Sequence, residues 1–130
     1  GHFFVYAPNK LKYPINRYAM EVKRQLSVLD NRLADCEFIS GPTYSIADMA
    51  IWPWYGRLAL GRQYGKKAGA FLSVSDYSNV IRWATQLEQR EAVIRGQMVN
   101  RTSGDLSGQL RERHSQKDFE FNTEDKISRP

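Results

Sequence analysis

Apolar residues at Ile15, Ala19, Val22, Leu26, Leu29 and Leu33 recur at helical spacing, with no competing strand alternation, and predict a long amphipathic helix from Ile15 to about Ala34. Pro14 suits its first position, where the missing N–H leaves nothing unpaired. Arg17 and Arg24 lie nearly opposite the apolar stripe, where periodicity leaves both in water. Met20 is the apolar exception on that polar side and hints at a cover over it. Further on, the residues from Met49 to Tyr55 are apolar around the whole circumference, which predicts a central helix buried on most sides.

The start of that central helix carries the sharpest local signal. Ser45 stands three residues before Asp48, the spacing of a capping box with Asp in place of the commoner Glu. Tyr44 and Met49 are placed to close a hydrophobic staple across it. Asp48 is the only charge between Glu37 and Arg57, and a buried carboxylate can act as an acid or base. The cap explains it without chemistry, so Ser45 and Asp48 are assigned a structural role. Pro53 predicts a kink or early break, and Trp52 and Trp54 beside it are assigned to the core.

The remaining elements follow from punctuation. Gly1 to Ala7 is apolar without a cap and reads as the last turns of a helix, so the chain is expected to be part of a longer protein. Pro8, Asn9 and Pro14 bound a connection. A Gly41-Pro42 turn leads to Ser45, and Gly61, Gly65 and Gly69 with Lys66 and Lys67 mark a flexible crossing that Phe71 and Leu72 tuck onto the core. Ser75 or Asp76 can cap another helix, with Tyr77, Val80, Ile81, Ala84 and Leu87 on one face. A last short helix around Ala92 to Arg95 stops at Gly96. The fold class is therefore all-α, with residues 1–100 as a helical domain. Residues 101–130 are polar with spaced apolar anchors and form a C-terminal extension, either disordered or draped on the body or a partner, with Leu110 to His114 as its expected helical turn.

Composition narrows the function classes. A chain of 130 residues with 42% hydrophobic content can build one core, and no apolar run is long enough for a membrane span. Cys36 is the only cysteine, which excludes an internal disulfide or a CxxC site and fits a reducing, cytoplasmic location; with only His2 and His114 in the chain, it is read as a loop-edge thiol rather than a nucleophile. The net charge of +5 lies entirely in residues 1–100, because the last thirty residues hold six basic and six acidic side chains. Arg57, Arg62, Lys66 and Lys67 form the densest cationic group. They lack aromatic interleaving or a nucleic-acid motif, so a solvated helix end is expected and nucleic acid is not a partner.

Ser45-Ile46-Ala47-Asp48 opening an apolar helix, after Phe38-Ile39-Ser40-Gly41-Pro42 and before Trp52-Pro53-Trp54-Tyr55, resembles the C-terminal helical domain of glutathione transferases. Gly1-His2-Phe3-Phe4, Tyr6-Ala7-Pro8, Ile15-Asn16-Arg17-Tyr18, Arg82-Trp83-Ala84, Val99-Asn100-Arg101-Thr102 and Glu112-Arg113-His114 are similar to the nu class, whose members reduce disulfide bonds with glutathione. Ser78 and Glu91 stand where that pattern usually has proline. The resemblance implies an enzyme whose catalytic centre and thioredoxin-like N-terminal domain lie outside this chain, with glutathione as cosubstrate, a small electrophile or a disulfide as second substrate, and a homodimer as the full-length form. The isolated chain is then expected to be inactive. The resemblance carries one arginine of the glutathione cleft onto Arg17, whose planar fork suits a carboxylate; Tyr6 is a second cleft candidate, with core packing as its alternative. The competing reading is a non-enzymatic helical interaction module.

Overall fold

The computed structural model describes residues 1–99 and 101–110. The fold is all-α, and the only bridges among the described residues are the isolated pairs Phe38 with Gly41 and Val99 with Leu110. The backbone divides into two compact units, Gly1–Gln89 and a second that begins at Arg90.

In the first unit a π-helical turn, His2–Tyr6, precedes the long helix α1, Lys12–Asp35. The apolar stripe read from the sequence does what its spacing requires: Leu26, Leu29 and Leu33 are buried. After a turn closed by Phe38 and Gly41, α2 runs Ile46–Ile51 and passes into a π-helical turn, Trp52–Gly56, and then one turn of α3, Arg57–Ala59. The π turn contains Pro53, so the expected break takes the form of a widened turn that accommodates a residue without an N–H. Gly56 is required there, since a Cβ would lie 2.5 Å from the Trp52 indole. Helix α4 spans Gly65–Leu72, a 3₁₀ turn Val74–Asp76 follows, and α5 runs Ser78–Glu88, packing chiefly on α1.

Three contacts across the sequence hold this unit together. The Asp48 carboxylate is fully buried and accepts from the Ile39 N–H (3.0 Å), the Trp83 indole N–H (2.8 Å), the Ser45 N–H (2.9 Å) and the Ser45 hydroxyl (3.0 Å). Both halves of the capping box are present, and the Ser45 hydroxyl also accepts from the Ala47 N–H at 3.3 Å. In the opposite sense, the Trp52 indole donates to the Ala84 carbonyl at 3.0 Å, so α5 and the continuous segment of α2 and the π turn exchange one tryptophan N–H each. Finally, α1 and α5 cap each other. Asp30 accepts from the Val80 N–H (2.9 Å) and Asn79 Nδ2 (3.1 Å) at the start of α5, while Arg82 donates to the Leu33, Cys36 and Glu37 carbonyls at the end of α1. An anion at a helix start and a cation at a helix end both oppose the macrodipole favourably.

The structure corrects several expectations. The central helix is buried on one face only: Trp52 is in the core, but Trp54 is 67% and Met49 52% exposed. Apolar composition around a helix specifies no cover, and none is supplied within this unit. Tyr44 sets its ring edge on Phe38. Gly65, Gly69, Lys66 and Lys67 lie in a regular helix, α4, rather than a flexible crossing; Tyr64 (φ +60°) and Gly65 (φ +76°) are both left-handed at its start, and buried Gly69 lets α4 close onto Val74. Neither Ser75 nor Asp76 caps α5, because the 3₁₀ turn carries both before the helix begins and Asp30 takes that place. Ser78 and Glu91 occupy the first positions of α5 and α6, where a proline is favoured but not required.

In the second unit α6 spans Glu91–Met98, continuing through Gly96 in place of the expected stop. Open space surrounds that glycine, so its only penalty is the weak intrinsic one. A 3₁₀ turn forms at Leu106–Gly108, and Leu110 donates its N–H to the Met98 carbonyl. The helical turn expected at Leu110 to His114 lies largely outside the described residues.

Two stability measurements test this architecture. Burial raises the Asp48 pKa, but its bonds from Ile39, Trp83 and Ser45 outweigh burial and hold it below the usual carboxylate range. Its contribution is therefore complete above the unfolded value of about 3.9 and is lost as pH falls through the lower folded value. Asp48→Ala leaves an indole and two backbone donors unpaired and is expected to cost about 3 kcal/mol in urea unfolding at neutral pH. It also flattens the acid limb of the stability curve. Asp30→Ala, which uncaps α5 from a distance, is expected to cost about 1 kcal/mol by the same measurement.

Candidate functional site

The polar side of α1 forms a stripe, since residues 17, 20, 21, 24 and 28 fall on one face at 3.6 residues per turn. Arg17 is exposed there, with Met20 beside it at 70% exposure, so the cover that Met20 hinted at is not supplied by the first unit. Arg17 makes no hydrogen bond or ion pair among the described residues. One turn further, the Glu21 carboxylate is fully engaged. Arg24 donates to both its oxygens, Nε to Oε2 at 3.0 Å and Nη2 to Oε1 at 2.7 Å, and Gln25 Nε2 adds a bond to Oε1 at 2.7 Å. These donors, Arg24 first and Gln25 second, pull the Glu21 pKa down to about 2, with the positive field of Arg17 contributing a smaller share. Gln25 in turn accepts from the Tyr55 hydroxyl, which joins this network to the π turn after α2.

Beyond Arg24 the same side of α1 opens into an apolar groove of about 320 Å³ lined by Val28, Leu29, Ile39, Ile51 and Tyr55, with Arg24 and Arg32 also at its wall. Arg32 spends its Nε on the Ile39 carbonyl at 2.8 Å. Arg17 does not line this groove: it stands two turns, about 10 Å, toward the helix start from Arg24.

Tyr6 sits in the opening π turn, 68% exposed, with its ring edge against Tyr64 at a centroid distance of 6.0 Å. The core alternative for this residue is thus not realised here, and no hydrogen bond or ring contact joins it to Arg17. Neighbouring Phe3 and Phe4 do anchor the turn, stacking on Tyr18 and Phe71 respectively. Ser45 and Asp48 serve the cap described above.

The cationic group expected as a solvated helix end is divided by the fold. Arg62 pairs with Glu88 (3.1 and 3.4 Å), Lys66 and Lys67 are exposed on α4, and the Arg57 Nε is buried without a hydrogen-bond partner among the described residues. Cys36 is a free, half-buried thiol at the end of α1. Among the described residues no group of three His, Cys, Asp or Glu is arranged to hold a metal ion, and no helix is long and apolar enough to cross a membrane.

Periodicity was enough to place Arg17 off the core. The Glu21–Arg24–Gln25 cluster has a signal too, in its three- and four-residue spacing on one helix. The partnership of Gln25 with Tyr55, thirty residues away, had no sequence signal.

The family model for the glutathione S-transferase C-terminal domain matches residues 14–85. The disulfide-bond oxidoreductase YghU of Escherichia coli (strain K12) is 55% identical over 126 residues, covering 97% of this chain and 43% of that protein. An uncharacterised transferase-like protein of Streptococcus mutans is 50% identical over 100 residues, 77% of this chain and 38% of its own. The crystal structure of glutathione transferase YghU from Streptococcus pneumoniae, complexed with glutathione, is similar with a TM-score of 0.71 and 55% identity, over 74% of this chain and 36% of that one. The chain thus spans less than half the length of the relatives it matches. On the family match and the all-helical fold together, this chain belongs to the glutathione S-transferase family, in which it corresponds to the C-terminal domain.

Proposed function

We propose that this chain forms one wall of a glutathione cleft in a glutathione-dependent disulfide-bond reductase. The observation that carries the reading is Arg17: an exposed guanidinium with no partner among the described residues, held on a 24-residue helix, in a chain 55% identical to a transferase crystallised with glutathione. Its fork would bind a glutathione carboxylate bidentately, which a solvated lysine could not match. Tyr6 would offer a ring and hydroxyl to the same ligand or to the second substrate.

The reaction is thiol–disulfide exchange. A glutathione thiolate attacks one sulfur of the substrate disulfide, the other sulfur leaves as thiolate, and a second glutathione resolves the mixed disulfide to give oxidised glutathione and the reduced substrate. Lowering the thiol pKa falls to a thioredoxin-like half, and this chain's part is to hold and orient the peptide. The chain alone is then inactive, and the full-length protein is a cytoplasmic homodimer.

A second reading, a helical interaction module, is favoured by the exposed Ile46, Met49 and Trp54, which give a partner an apolar face to cover. Sedimentation giving a clean monomer that binds no hydrophobic dye would remove its basis.

The enzyme reading is tested by joining residues 1–130 to the N-terminal part of Escherichia coli YghU and assaying glutathione-dependent reduction of a small dialkyl disulfide. Activity is expected. In that chimera, Arg17→Ala is expected to raise KM for glutathione about tenfold, the loss of a charge-assisted bond of roughly 1.5 kcal/mol, with Arg17→Lys recovering only part of it. A KM unmoved by Arg17→Ala would remove the role given to this residue.

A further inference from the structure

Residues four apart on a helix are neighbours, and opposite charges there attract. Arg17 and Glu21 have that spacing and do not pair. The reason lies on the far side of Glu21. Arg24 takes both carboxylate oxygens in a forked pair at 2.7 and 3.0 Å, and Gln25 takes Oε1 again at 2.7 Å. Gln25 is itself held by the Tyr55 hydroxyl from the π turn after α2, so its amide nitrogen is aimed at Glu21 by a contact outside the helix. Helix geometry favours the same partition, since an acid placed before its base is the better orientation and Glu21 precedes Arg24 but follows Arg17.

We infer that Arg24 and Gln25 are positioning residues that hold Glu21 away from Arg17, keeping the Arg17 guanidinium unpaired and open to an external carboxylate. The clause about the ligand rests on the glutathione reading above; the partition of charges does not. Neither residue needs to touch the ligand. Their effect is to stop an internal carboxylate from occupying the fork that an external one would use. Arg24 and Glu21 are partly exposed, with side-chain exposures of 63% and 34%, so their replacement leaves the core intact.

The test is made on the 130-residue chain by NMR, following the Arg17 Nε–Hε signal. Without ligand, Arg24→Ala is expected to shift that signal and slow its hydrogen exchange as Glu21 swings onto Arg17, and adding Glu21→Gln is expected to return it to the wild-type position. An Arg17 signal indifferent to Arg24→Ala overturns the inference. Glutathione is then titrated into the same variants of the chimera with the N-terminal part of Escherichia coli YghU, in which the cleft has both walls. Arg24→Ala should weaken the response of the Arg17 signal about two- to fivefold, the range of an exposed ion pair, and the double variant should restore it. A double variant as weak as Arg24→Ala overturns the inference by making Arg24 a ligand contact. If glutathione leaves the wild-type Arg17 signal of the chimera unmoved, the glutathione reading fails, and the ligand-free spectra still decide whether Arg24 holds Glu21 away.

Discussion

A single buried carboxylate organises the first unit. Asp48 has no solvent contact and satisfies donors from three places at once: the cap it belongs to, the preceding loop at Ile39, and the Trp83 indole of α5. A charge in that position would be costly if any of these were missing, since a buried ion needs close, directed partners to offset lost hydration. The loop must therefore fold back to offer Ile39, and α5 must cross where Trp83 can reach. The placement of the α2 start and the π turn after it against α5 follows from that requirement, with the returning bond from Trp52 of that turn to Ala84 as its second tie.

The α1–α5 contact works by a different logic. Its apolar seam, Leu26, Leu29 and Leu33 against α5, supplies burial, which is non-directional and would tolerate sliding. Direction comes from the reciprocal caps. Asp30 meets the first N–H groups of α5, and Arg82 meets the last carbonyls of α1, and these bonds form together only in one register. A long helix fixed in this way presents its opposite face in one orientation. That face carries Arg17, Met20, Glu21 and Arg24, so the elements that set the core also set the geometry of the candidate site.

Charge on that face is arranged in a fixed order. A forked Glu21–Arg24 pair is flanked by Gln25 on one side and by an unpaired Arg17 on the other. Beyond it the apolar groove at Val28 and Ile51 continues the same side of α1. Arg17 and the apolar groove thus share one side of α1, with Arg17 two turns, about 10 Å, from Arg24 at the groove wall.

Much of this was legible in the chain. The stripe from Ile15 to Leu33, the capping box at Ser45 and Asp48, the break at Pro53, the all-helical class and the off-core position of Arg17 all follow from interactions within four residues, which spacing encodes directly. The tertiary structure alone decided that Asp30 rather than Ser75 or Asp76 would cap α5, that Asp48 would take the Trp83 indole, that Tyr55 would hold Gln25, and that Trp54 and Met49 would stay exposed. Each of those depends on a partner, or on the lack of a cover, thirty or more residues away in the chain. Local periodicity states which side of a helix is apolar; only the packed fold states what, if anything, lies against it.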